Sequence, residues 1–286
     1  YRYLRAPMGL AAAAATLAVP QTAALTAAAD GSPHRQPRRL APVELDLRLP
    51  EPELRRQCVA ALAGSLTPVL SLRHHGLEGS CAELAAHEAA RHALQTLGDD
   101  PPSQLSFELE ESARTRAVRE GFRQLSTRLL RILAGDAAAG VEVEGRLSLR
   151  VYPHSVDSAE PVRLGPHCDS TLFTLLWSTA PGLQVLDPDR ADGWTPRDVL
   201  QFGLPSICDE APELRDDQWA TVEMPWSEGA ILLSLGTDWH THGQLNAMVR
   251  CPCAVLHRVA VSDLQEHRLS LPYLVDLASP HQTDGV

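Results

Sequence analysis

One imidazole and one carboxylate stand two residues apart in the segment His167-Cys168-Asp169. The segment opens a run of β-forming residues, and side chains at positions i and i+2 of a strand point to the same face of a sheet. The two side chains would then converge as neighbouring ligands of a metal ion. With 12 His and 36 Asp+Glu in 286 residues, one such pair is no more than chance predicts. The motif alone is therefore more often structural than catalytic.

The order of several further segments restricts the interpretation more strongly. His167 begins the run His-Cys-Asp-Ser-Thr-Leu-Phe-Thr-Leu-Leu-Trp, and Gly182-Leu183-Gln184-Val185 follows it. The segment Tyr152-Pro153 comes earlier, and His257-Arg258-Val259 and Arg268-Leu269-Ser270 come later. Taken together and in this order, these segments resemble the isopenicillin N synthase-like branch of the Fe(II)/2-oxoglutarate-dependent dioxygenases. The resemblance extends over about residues 41 to 277.

This resemblance implies a ferrous ion, 2-oxoglutarate as cosubstrate and dioxygen. The residues that it assigns are His167, Asp169 and His257 as catalytic metal ligands, and Arg268, Ser270 and Tyr152 as groups that bind 2-oxoglutarate. Two imidazoles and one carboxylate on one face of an octahedral ion leave three positions open for 2-oxoglutarate and dioxygen. A guanidinium matches the far carboxylate of 2-oxoglutarate with two parallel hydrogen bonds. The implied activity is oxidation of a small organic substrate by hydroxylation, desaturation or cyclisation.

Hydrophobic spacing predicts the elements that position these residues. Apolar residues at helical spacing predict helices over residues 50–64, 82–97 and 108–134. Short β-rich runs predict strands over residues 42–48, 69–72, 147–152, 171–177, 183–186, 230–235, 254–260 and 271–277. Helices followed by many short strands indicate an α+β, mainly β fold: a double-stranded β-helix (jelly roll) with an N-terminal helical layer.

Composition along the chain predicts its organisation. Residues 1–40 are rich in Ala and Arg and carry no acidic residue before Asp30, so we expect a transit or signal leader, or a disordered tail. Residues 41–140 form the predicted helical region, and residues 141–286 the predicted jelly-roll core. The polar segment 187–225 is predicted to be an insertion, either on the surface or as a lid over the site.

The sequence departs from the family pattern at several positions. The separation of 90 positions from His167 to His257 exceeds the usual one, and the extra His240 and His242 are interpreted as loop residues. Arg150 and Val151 stand where the family pattern has an asparagine. These departures affect the expected substrate pocket more than the expected metal site.

Four other residues favour structural roles. His74 and His75 are typical of a turn or of packing, Cys168 should point to the face opposite the ligands, and Arg258 is expected to form ion pairs.

Composition excludes several classes of function. All 25 positively charged residues are Arg, so the chain lacks the lysine of a P-loop NTPase, a protein kinase or a Schiff-base enzyme. The net charge of −11 argues against broad nucleic-acid binding. We expect a small-molecule substrate, no nucleic-acid or membrane partner, a monomer, and a cytoplasmic or organellar location after removal of the leader.

Two alternatives stay open at this stage. One is a catalytically inactive jelly-roll binding protein whose inserted segment blocks the metal site. The other is an oxygenase of protein side chains, which would use the same ligands.

Overall fold

The computed structural model describes residues 38–92, 104–153, 162–203, 214–260 and 267–278. The helices are α1 (Glu51–Leu62), α2 (Glu78–Arg91), α3 (Ala113–Ala134), α4 (Pro196–Leu200), α5 (Thr237–Thr241) and α6 (Gly243–Val249). The strands are β1 (Arg38–Leu40), β2 (Val43–Asp46), β3 (Val69–Arg73), β4 (Leu105–Glu108), β5 (Val143–Tyr152), β6 (Val162–His167), β7 (Phe173–Ser178), β8 (Leu183–Leu186), β9 (Trp219–Val222), β10 (Ile231–Leu235), β11 (His257–Ala260) and β12 (Arg268–Leu277).

Within these residues the strands form two sheets. The seven-stranded sheet has the order β2-β3-β10-β7-β12-β5-β4, and the five-stranded sheet has the order β1-β9-β8-β11-β6. The pairings are antiparallel except those of β1 with β9 and of β2 with β3. Residues of both sheets line one cleft between them. The predicted jelly roll is therefore confirmed.

The N-terminal helices cover the outer face of the seven-stranded sheet, and α3 is the longest of them. Its apolar stripe includes Phe122 and Leu129, which are fully buried. The side chain of Ser112 caps its first turn by accepting a hydrogen bond from the Thr115 amide. The helix begins five residues later than predicted because Glu108 belongs to β4, which pairs with β5. It ends as predicted at Gly135, whose φ of 55° few other residues adopt.

Strand β5 shows why the sheet has one structural face and one face open to the cleft. Leu147, Leu149 and Val151 are buried in the same apolar core as the N-terminal helices. Arg150 and Tyr152, which alternate with them, line the cleft. Because strand side chains alternate between faces, the same ten residues serve the core and the cleft.

The segment 187–225 contributes to the fold in its described parts. Strand β9 pairs with β8 and β1 in the middle of the small sheet. Helix α4 lies beside the buried Trp194 and Trp219 in a second apolar cluster. At least these parts are built into the small sheet and its core.

Several predicted boundaries differ from the structure. Residues 38–40, predicted to belong to the leader, form β1, while residues 1–37 lie outside the described residues. The second helix begins at Glu78, four residues before the predicted start. His240 lies in α5, so interpreting it as a loop residue was wrong, whereas His242 lies in the connection between α5 and α6, as predicted. Among the described residues, none of the helices combines the length and the apolar character that crossing a bilayer needs.

Candidate metal centre

His167, Asp169 and His257 come together in the structure. Their candidate ligand atoms all lie within 4.8 Å of one another. Nε2 of His167 is 3.8 Å from Oδ1 of Asp169, and the two imidazole centroids are 4.2 Å apart. In the part of the chain that the structure describes, no other three or more His, Cys, Asp or Glu side chains meet in this way. Two nitrogen donors and one oxygen donor at this spacing suit one metal ion.

The register of the small sheet brings the two histidines together. His167 is the last residue of β6, His257 is the first residue of β11, and the two are directly opposite in the antiparallel pairing. Side chains opposite each other in such a pair have Cβ atoms about 4.5–5.5 Å apart. This pairing explains how residues distant in sequence share one site.

Asp169 lies two residues beyond the end of β6 and directly before a bend at residues 170–172. Strand β6 ends at His167, so Asp169 lies just beyond the strand, but its carboxylate converges with the imidazole of His167 as predicted. Cys168, between them, is buried against α4, as predicted for a core residue, with its Sγ 3.5 Å from the carbonyl oxygen of Val199. The side chains of His167 and Asp169 thus lie together, with that of Cys168 directed away from them.

Neighbouring groups fix the position of Asp169. Oγ1 of Thr174 donates to Oδ2 of Asp169 at 2.6 Å, and the amide of Thr237 donates to the carbonyl oxygen of Asp169 at 2.9 Å. Gly236 packs directly against the backbone of residues 169–171. A Cβ at position 236 would lie 2.2 Å from the carbonyl oxygen of Thr171 and 2.8 Å from that of Asp169. Only glycine fits this position without moving the carboxylate.

Backbone carbonyl groups orient both imidazoles. Nδ1 of His167 lies 2.8 Å from the carbonyl oxygen of Gly165, and Nδ1 of His257 lies 3.1 Å from that of Val255. A carbonyl oxygen only accepts hydrogen bonds, so Nδ1 carries the proton in each ring. The lone pair of each Nε2 is therefore free to bind a metal ion.

The protonation states also favour metal binding. Burial and the neighbouring His257 lower the pKa of His167 to about 4. Burial raises the pKa of Asp169, but the charges of His257, His167 and Arg150 and the hydrogen bond from Thr174 together have the larger effect, so its pKa is lowered. At neutral pH the site thus offers a neutral imidazole at His167 and a carboxylate at Asp169, as metal coordination requires.

Arg268 places a buried positive charge in the same cleft. It is the first residue of β12 and 3 % exposed, and its Cζ lies 5.0 Å from the ring centroid of Tyr152, its partner in the β5 pairing. Nε donates to the carbonyl oxygen of Ala180 at 3.1 Å. Among the described residues Nη2 has no hydrogen-bond partner, and no carboxylate lies within 4.0 Å of the guanidinium. A buried guanidinium in this state requires an anion.

The cleft connects this guanidinium to the three candidate ligands. Part of the cleft is open to solvent. Ser270 lines it two residues beyond Arg268, on the same face of β12, and is 1 % exposed. The apolar residues of its walls are Leu164, Leu176, Leu183, Leu232, Val255, Val259, Pro272 and Leu274.

Arg150 is a cleft residue that the sequence analysis did not assign to the site. Its side chain lines the cleft, and its Nε is buried without a hydrogen-bond partner. It is close enough to the candidate ligands for its charge to contribute to lowering the pKa of His167 and of Asp169. The position of Arg150 two residues before Tyr152 on one strand was the sequence signal that could have identified it.

The residues assigned structural roles lie away from this site. Arg258 donates to Gln184 at 2.7 Å and to Asp216 at 2.9 Å, and stacks over Trp219, which matches the predicted ion pairing. His74 adopts a positive φ of 56° in the turn after β3, and its neighbour His75 bonds to the carbonyl oxygen of Gly229. Both histidines are turn residues, as predicted.

Comparisons with known proteins support the fold. No protein-family model matches the chain, and no curated protein does. Solved structures do match. AtDAO1, the dioxygenase for auxin oxidation 1 from Arabidopsis thaliana, in its 2-oxoglutarate complex, is 17% identical, with a TM-score of 0.57 over 85% of this chain and 95% of that one.

Two further structures are similar over most of their length. JOX2 in complex with 2OG, Fe and JA is 17% identical, with a TM-score of 0.59 over 87% of this chain and 78% of that one. The dioxygenase for auxin oxidation in rice is 19% identical, with a TM-score of 0.56 over 84% of this chain and 84% of that one. At this identity the likeness shows a shared fold.

Proposed function

We propose that the protein is an Fe(II)- and 2-oxoglutarate-dependent dioxygenase, an oxidoreductase that acts on a small organic substrate. One observation carries the proposal. A single cleft contains the cluster His167, Asp169 and His257 and also the buried guanidinium of Arg268, whose Nη2 lacks a partner among the described residues. A metal ion and a carboxylate-containing cosubstrate would together satisfy both groups.

The donor set fits a ferrous ion. Two imidazoles with free Nε2 atoms and one carboxylate form the facial arrangement that suits Fe(II) and leaves positions open. A structural zinc site would instead use four protein ligands, commonly including Cys, and the buried Cys168 points away from the cluster. When bound, Fe(II) with 2-oxoglutarate and dioxygen would supply the oxidising chemistry, with succinate and carbon dioxide as coproducts.

The far side of the cleft fits the cosubstrate. The guanidinium of Arg268 would pair with the carboxylate of 2-oxoglutarate distant from the metal, and the hydroxyl of Ser270 would donate a further hydrogen bond. The ring of Tyr152 holds the guanidinium in place by a cation–π contact. The leucine and valine side chains of the walls would exclude water around the reacting groups.

Two observations support a small organic substrate and an open site. The similar structures include a dioxygenase for auxin oxidation and a protein solved with JA. None of the described residues in segment 187–225 lines the cleft, which argues against the alternative of a binding protein whose site this segment blocks.

Succinate release from 2-oxoglutarate by the full chain with Fe(II) tests the proposal. We expect release by the wild type, none by His167→Ala, and a raised requirement for 2-oxoglutarate in Arg268→Met. His87→Ala and Arg114→Met are matched controls, because both residues are exposed on helices away from the cleft. Both controls should behave as wild type.

Equal succinate release by the wild type, His167→Ala and Arg268→Met would contradict the proposal. If the wild type releases no succinate, its iron content after reconstitution with Fe(II) separates an oxygenase from a binding protein. An inactive wild-type protein that retains no iron would favour the binding-protein alternative.

A further inference from the structure

Arg150 is a positive charge in the cleft for which the structure shows no anionic partner. Among the described residues no carboxylate lies within 4.0 Å of its guanidinium, and its buried Nε makes no hydrogen bond. The other arginine of β5, Arg146, instead pairs with Asp276 at 3.4 Å. Leaving the buried Nε of a half-buried guanidinium unpaired is costly, so this position in the cleft favours an additional negative group.

The position of Arg150 differs from that of Arg268. In the pairing of β5 with β12, Arg150 is opposite Ser270, whereas Arg268 is opposite Tyr152. The two guanidinium groups therefore occupy successive places along one face of the sheet. Arg150 lines the same cleft as His167 and Asp169, and its charge contributes to lowering the pKa of both.

Charge balance indicates which molecule supplies the missing anion, and this step rests on the proposed function. The two positive charges of Fe(II) are balanced by Asp169 and the near carboxylate of 2-oxoglutarate. The far carboxylate balances Arg268. Arg150 then remains as one uncompensated positive charge in a partly desolvated cleft.

We infer that Arg150 binds a carboxylate of the primary substrate, so that the protein selects a small, largely apolar monocarboxylic acid. The apolar character follows from the cleft walls, which Leu, Val and Pro side chains dominate. Nε of Arg150 and its terminal nitrogens would donate to the carboxylate, which orients the apolar part of the substrate relative to the metal.

The test measures binding, with Mn(II) in place of Fe(II) so that no turnover occurs. The full chain loaded with Mn(II) and 2-oxoglutarate is titrated calorimetrically with butanoate, hexanoate, phenylacetate and cyclohexanecarboxylate, and with the neutral amide of each acid. We expect the wild type to bind at least one acid about tenfold to a hundredfold more tightly than its amide. Arg150→Met should lose this preference, and Arg150→Lys should keep part of it. The Arg114→Met control should retain it in full.

Three results would overturn the inference. In the first, wild type and Arg150→Met show the same preference for acid over amide. In the second, the wild type shows no such preference. In the third, the Mn(II) form of Arg150→Met binds 2-oxopentanoate more weakly than the Mn(II) form of the wild type does. The last result would assign Arg150 to the near carboxylate of the oxo acid, since 2-oxopentanoate lacks the far one. Failure of the wild type to bind 2-oxoglutarate would instead refute the proposed function itself.

Discussion

The two faces of strands β5 and β12 differ in whether their side chains find all their packing and hydrogen-bond partners within the protein. On the face toward the N-terminal helices, Leu149 and Tyr273 are buried, and Tyr273 stacks on Phe122 with ring centroids 5.1 Å apart. On the face toward the cleft, Arg150 and Arg268 keep nitrogen atoms without partners among the described residues. The first face is complete within the protein, whereas the second is completed only by bound molecules. Substitutions on the two faces should therefore affect different measurements.

The largest effect on stability should come from Leu149→Ala on the helical face. Leu149 is fully buried, and removing three of its carbon atoms should lower the free energy of unfolding by about 2–5 kcal/mol. Urea unfolding measures this loss, and 2-oxoglutarate affinity of the folded fraction should not change. Arg150→Met, on the next residue, should leave the stability within about 1 kcal/mol of wild type. A similar loss of stability in both variants would remove the distinction between the faces.

Gly236→Ala should affect the metal centre most specifically. The new Cβ would meet the carbonyl oxygens of Thr171 and Asp169 at 2.2 and 2.8 Å, so the backbone that carries the carboxylate must move. We expect Mn(II) affinity to fall about tenfold to a hundredfold, as when other groups that orient metal ligands are removed. Gly79→Ala is the control, because a Cβ there meets nothing within 4 Å. Wild-type Mn(II) affinity in Gly236→Ala would show that this contact does not hold the carboxylate.

The pH dependence of the metal-free protein should reveal the burial of His167. Its pKa is about 4 in the folded protein and about 6.5 in the unfolded chain, so the unfolded chain binds more protons between these values. Stability should fall as the pH decreases from 6.5 toward 4.

Urea unfolding at pH 7 and pH 5 measures this dependence. Wild type should lose about 1–2 kcal/mol more than His167→Gln, which lacks the titrating group. Equal losses in the two proteins would mean that His167 titrates normally.

Tyr152→Phe should give the smallest effect. The ring and its contact with Arg268 remain, and only the hydroxyl is lost. We expect 2-oxoglutarate affinity of the Mn(II) protein to fall about threefold to tenfold, the worth of one neutral hydrogen bond. No change would show that the tyrosine acts only through its ring, and a loss as large as that of Arg268→Met would mean that the hydroxyl binds the carboxylate directly.

Hydrophobic spacing predicted much of the fold. Strand β8 has the predicted bounds, β10 begins one residue later than predicted, and α3 has the predicted end. Strand β6 was missed because Gly165-Pro166 is typical of a turn. It lies at the edge of its sheet, where a proline that lacks an N–H group costs no hydrogen bond.

The site was less predictable than the fold. Local sequence indicated that His167 and Asp169 were close, but the position of Asp169 depends on contacts with Thr174, Thr237 and Gly236. Such contacts form only in the folded chain. Arg150 was missed because its role in the cleft depends on its guanidinium having no carboxylate partner among the described residues, and a sequence does not show which side chains pair.

Iron content after anaerobic reconstitution measures whether His167, Asp169 and His257 bind one ferrous ion. The full wild-type chain, His257→Ala and His87→Ala are incubated with Fe(II), desalted and assayed for iron. We expect about one ferrous ion per chain in wild type and in the exposed control His87→Ala, and less than about one tenth of that in His257→Ala. Retention of a full equivalent of iron by His257→Ala would contradict binding of the ion by these three residues.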